Sequence, residues 1–122
     1  MGYRHVIPEF IKRVFDNVNP FYMHGGDNTR AFCFVDDAVK AISAVANSKY
    51  SDQEIIHIGK EEEIKISNLA NLIMKLMNKH FKLIEKGSPS ASVPRRCPNT
   101  KKLYDLTGYK ATTRLEDGLK IT

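Results

Sequence analysis

A mixed α/β fold is predicted for this chain of 122 residues by three observations. Apolar residues recur at helical spacing in several segments, short apolar runs separate those segments, and glycine or proline closes most of the runs. The length suits one domain spanning 1–122 with one core.

Taken in order, Ile7, Phe10, Ile11, Val14 and Phe15 follow the i, i+3, i+4, i+7, i+8 rule, with Pro8 in a tolerated first-turn position. That predicts a helix with one buried stripe. Phe21 to His24 read as a short strand, Gly25-Gly26-Asp27-Asn28 as a turn, and Ala31 to Val35 as a buried strand. Asp36 or Asp37 is then expected to cap a helix over AVKAISAVAN, with Val39, Ile42 and Ala46 on its inward face. EIIHIG is read as a strand closed by Gly59. Ser67 is expected to cap NLANLIMKLMNKH, where Leu69, Leu72, Ile73, Leu76 and Met77 form the stripe and Met74 and Met77 fill core gaps. A strand over FKLIE precedes GSPSASVP, a loop by composition. Asn99 is expected to cap a helix over TKKLYDL that stops at Gly108, and Thr113 with Glu116 to form a capping box for RLEDGLKI.

Composition narrows the function classes. A hydrophobic fraction of 42% with 27% charged residues is that of an ordinary globular protein. The net charge of +5 raises a nucleic-acid reading. Lysines and arginines are nevertheless spread along the chain, with few doublets, Arg95-Arg96 and Lys101-Lys102 among them, so a solvated surface is expected and no nucleic-acid partner. The longest apolar windows are broken by charge within a few residues, and Arg4, His5 and Glu9 interrupt any early apolar segment. The expectation is no membrane and a reducing, cytoplasmic home. Cys33 and Cys97 give neither a disulfide framework nor metal spacing, and the histidines at 5, 24, 57 and 80 are scattered. His57 is read as a strand histidine. No dinucleotide glycine fingerprint, phosphate loop or zinc-helix motif occurs, and no catalytic residues can be named.

Arg30 stands at the mouth of the apolar run AFCFV, where a charge must be paired, reach solvent or meet an anion from outside. Spacing alone leaves open an ion pair with Asp27, Asp36 or Asp37.

The runs HVIPEFIKRV, FYMHGGDNTRAFCFVDDAVKAI, IIHIGKEEEIKISNLANLI, PRRCPNTKKLYDLTGY and LEDGLKIT, in that order from Gly2 to Thr122, resemble the C-terminal half of the extended short-chain dehydrogenases. These are NAD-dependent nucleotide-sugar epimerases, dehydratases and decarboxylases. The most specific pieces are G-x-x-x-T-R-x-F-x-x-V-D-D at Gly25 to Asp37 and R-R-x-P at Arg95 to Pro98. The resemblance implies the substrate-binding part of such an enzyme without its Rossmann core. In the family the NAD fingerprint and the Tyr-x-x-x-Lys pair lie upstream; no Tyr-x-x-x-Lys occurs here, so this chain alone is expected to bind no cofactor and to be inactive.

By the same resemblance Arg30 and Arg96, with Arg95 as the alternative of the doublet, are expected at the diphosphate of a nucleoside diphosphate sugar. His5, Phe21, Tyr22 and Met23 are expected beside the sugar or nucleotide. Asn99 departs from the aspartate usual at its place, and Ala31 stands where an acidic residue is common. The implied partners are the nucleotide sugar and the Rossmann part; apolar faces that would meet the Rossmann part, left uncovered, add a homo-oligomer to the expectations.

Overall fold

A computed structural model describes residues 4–87 and 92–122. The mixed α/β class is the one observed. In chain order the elements are α1 (Val6–Phe15), β1 (Phe21–Met23), β2 (Thr29–Ala31), α2 (Val35–Asn47), β3 (Glu63–Lys65), α3 (Ile66–Leu76), β4 (Leu83–Glu85), β5 (Arg95–Arg96), α4 (Lys101–Thr107) and α5 (Leu115–Ile121). They divide into two compact units, one of Met1–Thr29 with Ile64–Arg95, the other of Arg30–Glu63 with Arg96–Thr122.

In the first unit, β1 and β4 pair in parallel, Phe21 opposite Leu83 and Met23 opposite Glu85. Helices α1 and α3 pack together. The stripe read on α1 is buried at Ile7, Phe10 and Val14, while Phe15 turns outward. Phe10 meets Phe21 edge-on at 5.1 Å, and the Arg13 guanidinium lies 4.0 Å over the Phe21 ring. Lys79 Nζ donates to the carbonyls of Val14 at 3.0 Å and Phe15 at 3.3 Å, placing a cation on the negative end of α1. On α3 the buried residues are Ile66, Leu69, Ala70, Ile73 and Met74. Leu69, Ile73 and Met74 thus match the expected core. Leu72, Leu76 and Met77 are half-buried, because the buried stripe begins at Ile66, one turn earlier than the sequence pattern starts.

The second unit packs α2 against α4. Its buried side chains include Ala41, Leu103, Ala111 and Asp37. Ser48 Oγ on α2's C-terminal side donates to the Leu106 carbonyl at 3.0 Å, and Gly118 on α5 leaves room for the Phe34 ring, which a Cβ there would meet at 3.1 Å. Gly108 ends α4 in the left-handed conformation, φ 71°, as expected. Strands β3, β2 and β5 form a three-stranded sheet in that order.

Four expectations are corrected. The apolar run at Ala31–Val35 is not a strand: β2 ends at Ala31, Phe34 is the extended N-cap of α2, and Asp36 and Asp37 lie inside the helix's first turn, where its positive end favours them. Helix α2 buries Asp37 and Ala41, leaving Val39 at 57% and Ile42 at 56% exposure. The small alanine side permits close approach to α4, and hydrophobicity alone misjudges the inward face. EIIHIG forms no strand; it finds no strand partner among the described residues, and Ile55 is 82% exposed. The side-chain caps are also displaced. Neither Ser67 nor Thr113 is an N-cap, since α3 and α5 begin after Lys65 and Arg114 without side-chain caps. Asn99 still accepts a hydrogen bond from the Lys101 amide at 3.0 Å, one position before the true N-cap Thr100.

Candidate functional site

Arg30 is the middle residue of β2 and is half-buried; Arg96 is the second residue of β5 and is exposed, as is Arg95 before it. Because β2 and β5 are adjacent in the sheet, Arg30 and Arg96 stand on neighbouring strands although 66 positions separate them in the chain. Two guanidinium groups rooted on neighbouring strands can offer rigid donor forks to one polyanion.

Of the three aspartates considered as partners of Arg30, Asp27 and Asp37 make other contacts. Asp27 faces Lys65 at 3.9 Å. Asp37 is 2% exposed, and its Oδ2 accepts from the Thr113 amide at 2.9 Å while Oδ1 accepts from the Tyr109 hydroxyl at 3.3 Å. Burial pushes the Asp37 carboxyl up, yet the bonds from Thr113 and Tyr109, with the charge of Lys40, outweigh it and hold the group below the usual aspartate range. Tyr109 moves the opposite way, raised by burial and then by the neighbouring Asp37 charge.

His5 is the exposed N-cap residue of α1. Phe21 and Met23 are buried core side chains of β1, so Tyr22 is the exposed member of that trio. The Tyr22 carbonyl accepts from the Arg13 guanidinium, and Lys86 Nζ lies 4.5 Å over the Tyr22 ring. The loop read over Gly87 to Pro94 lies partly outside the described residues, at 88–91.

No sequence signal points to Glu85. Its Oε1 accepts from the amides of Gly25 at 2.9 Å and Gly87 at 3.0 Å, and its Oε2 from the amide of Gly26 at 2.8 Å. His57 is exposed and lines an open cleft of about 510 Å³ with Ile55, Asn99, Lys101, Lys102 and others. Lys102 pairs there with Glu54 at 2.5 Å, and Lys101 with Asp105. Neither Arg30 nor Arg96 lines this cleft.

The Gly25-Gly26 turn is not the glycine loop of a dinucleotide site. The phosphates of a dinucleotide need a strand, a glycine loop and a helix N-terminus in succession, and here the Gly25-Gly26 turn runs from β1 into β2. Among the described residues no group of three or more His, Cys, Asp or Glu side chains could hold a metal, and no helix is long and apolar enough to cross a membrane.

Comparison with known proteins agrees with the sequence resemblance. Residues 1–59 match the model of the NAD dependent epimerase/dehydratase family. A UDP-N-acetyl-alpha-D-glucosaminuronate decarboxylase of Bacillus cytotoxicus is 33% identical over 126 aligned positions, covering 98% of this chain and 39% of that protein. A GDP-mannose 3,5-epimerase of Oryza sativa subsp. indica is 25% identical over 93% of this chain and 29% of its own length. In fold, a UDP-glucose 4-epimerase of Thermotoga maritima, solved with UDP-glucose, superposes with a TM-score of 0.88 at 23% identity, over 99% of this chain and 38% of that one. The chain therefore spans well under half the length of the curated relatives it matches.

Proposed function

We propose, for a chain whose sequence and fold are those of a part of the NAD dependent epimerase/dehydratase family, that it is the nucleotide-sugar-binding portion of such an enzyme and that Arg30 and Arg96 clamp the diphosphate of a nucleoside diphosphate sugar. The observation that carries this reading is the placement of the two arginines on adjacent strands of one sheet. A diphosphate presents planar sets of anionic oxygens, and a guanidinium answers each with a fixed fork of donors, giving hydrogen bonds stronger than those between neutral groups. Arg95 is the neighbouring cation in the doublet and contributes less in this assignment. The reaction of the whole enzyme, a sugar oxidised transiently by NAD, uses groups outside this set, and the chain alone performs binding.

The test is a chemical-shift titration of the labelled chain with UDP, GDP and uridine, NAD serving as a further ligand. A diphosphate response that exceeds the uridine response supports the clamp, and no response to NAD is expected. Equal response to UDP and uridine overturns it.

A second reading, a non-catalytic chain that associates with copies of itself, is favoured by the exposed apolar line Val35, Val39 and Ile42 on α2. Light scattering of the wild type in solution tests it.

A further inference from the structure

We propose that Glu85 is a latch, a positioning residue that fixes the Gly25-Gly26 turn leading into the strand of Arg30. The consequence for ligand affinity rests on the reading of Arg30 and Arg96 as diphosphate ligands; the latch itself rests on geometry. Strand β4 ends on Glu85, and its carboxylate gathers three backbone amides, those of Gly25, Gly26 and Gly87, at 2.8 to 3.0 Å. Bonds to an ionised acceptor are the strong class of hydrogen bond.

Each glycine meets a different requirement of this arrangement. Gly25 and Gly87 have positive φ, 68° and 81°, which other residues adopt at a cost. Gly26 needs room instead: a Cβ there would lie 2.2 Å from Glu85 Oε2. The turn so held is secured on its far side as well. The carbonyls of Gly26 and Asn28 accept from the amides of Ser67 and Ile66, each at 3.0 Å, and Asn28 Nδ2 donates to Ser92 Oγ at 2.9 Å. The Thr29 amide donates to the Pro94 carbonyl at 2.9 Å. The next residue after Thr29 is Arg30, and after Pro94 come Arg95 and Arg96. A donor fork gains from a diphosphate in proportion to how well its root is held before the ligand arrives. Glu85 supplies that hold from one carboxylate, through the backbone amides of Gly25, Gly26 and Gly87.

The experiment uses the full chain, isotope-labelled, with the variants Glu85→Gln, Gly26→Ala and the double variant, and with UDP and GDP as probes. Glutamine keeps the shape and loses the charge and one acceptor; alanine at 26 displaces the carboxylate from the other side. Each single variant is expected to weaken diphosphate affinity about five- to tenfold, and to lower the urea midpoint less than Asp37→Asn does, because Glu85 is exposed, with α1 and α3 still folded. The double variant is expected to lose no more than either single, because both break one latch. Unchanged affinity in Glu85→Gln, or additive losses in the double variant, overturns the proposal. If the wild type itself ignores both diphosphates, the clamp reading fails, and hydrogen exchange then judges the latch alone. Faster exchange at Gly25, Gly26 and Gly87 in either single variant upholds it, and unchanged exchange there overturns it.

Discussion

The backbone amide of Thr113 donates to Asp37 Oδ2 at 2.9 Å across a separation of 76 residues, tying the first turn of α2 to the segment that leads into α5. Tyr109 donates its hydroxyl to the same carboxylate and, at 3.0 Å, to the Asp37 carbonyl. A buried charge with those partners costs little to keep and much to orphan.

Asp37→Asn is therefore expected to destabilise the chain by about 1.5 to 3 kcal/mol at neutral pH, because one amide donor must face another. Asp37 is held below its ordinary range in the folded state. Its contribution is thus complete above the unfolded aspartate range, about pH 4, and is lost as pH falls through the folded value. Urea unfolding of both proteins at pH 7 and pH 3 checks this. The gap between them should narrow at the lower pH, and a constant gap would assign the loss to shape rather than charge.

This hub marks where sequence reading stops. Helices α1 and α3 are legible because Phe10 and Val14, or Leu69 and Ile73, share one face by spacing alone. Asp37 reads as a helix cap because its real partners are Tyr109 and Thr113, which no local pattern links to it. Glu85 passes for the polar end of a strand for the same reason. EIIHIG fails oppositely: its composition suits a strand, but pairing depends on a free neighbouring edge that a sequence does not display. The arginines are legible only through the resemblance, since a charge beside an apolar run is equally compatible with an ion pair.

Replacing Arg30 or Arg96 by Ala is expected to weaken binding of UDP or GDP by about 1.5 to 3 kcal/mol each, roughly ten- to a hundredfold. Arg95→Ala should cost less. Titrations of the three variants decide the register, and a larger effect at Arg95 than at Arg96 would move the clamp one residue back.

Gly108 ends α4 at φ 71° with nothing within 4 Å of where a Cβ would sit, so its cost on substitution is conformational and not steric. Gly108→Ala is expected to lose about 1 kcal/mol, and Gly108→Asn less, since asparagine enters the left-handed region more readily. Thermal unfolding of the pair tests the order; equal midpoints for Ala and Asn would contradict it.

The α2 residues Val39 and Ile42 are exposed, and changing both to Lys should alter unfolding free energy by less than about 1 kcal/mol. If this face mediates self-association, the same change lowers the mass seen by light scattering during size-exclusion chromatography. A wild type that elutes as a clean monomer removes that second reading.

The division of the chain sets the order in which its two units can be completed. Each unit is made of two stretches separated by part of the other. When a growing chain has reached Glu63, α1 still lacks α3 and α2 still lacks α4. Emergence of the stretch to Arg95 completes the first unit while α2 waits without its partner helix, which arrives only with Lys101–Thr107. Until then α2 lacks both its packing partner α4 and the Tyr109 and Thr113 groups that satisfy Asp37, so a partly made chain carries this helix unpacked.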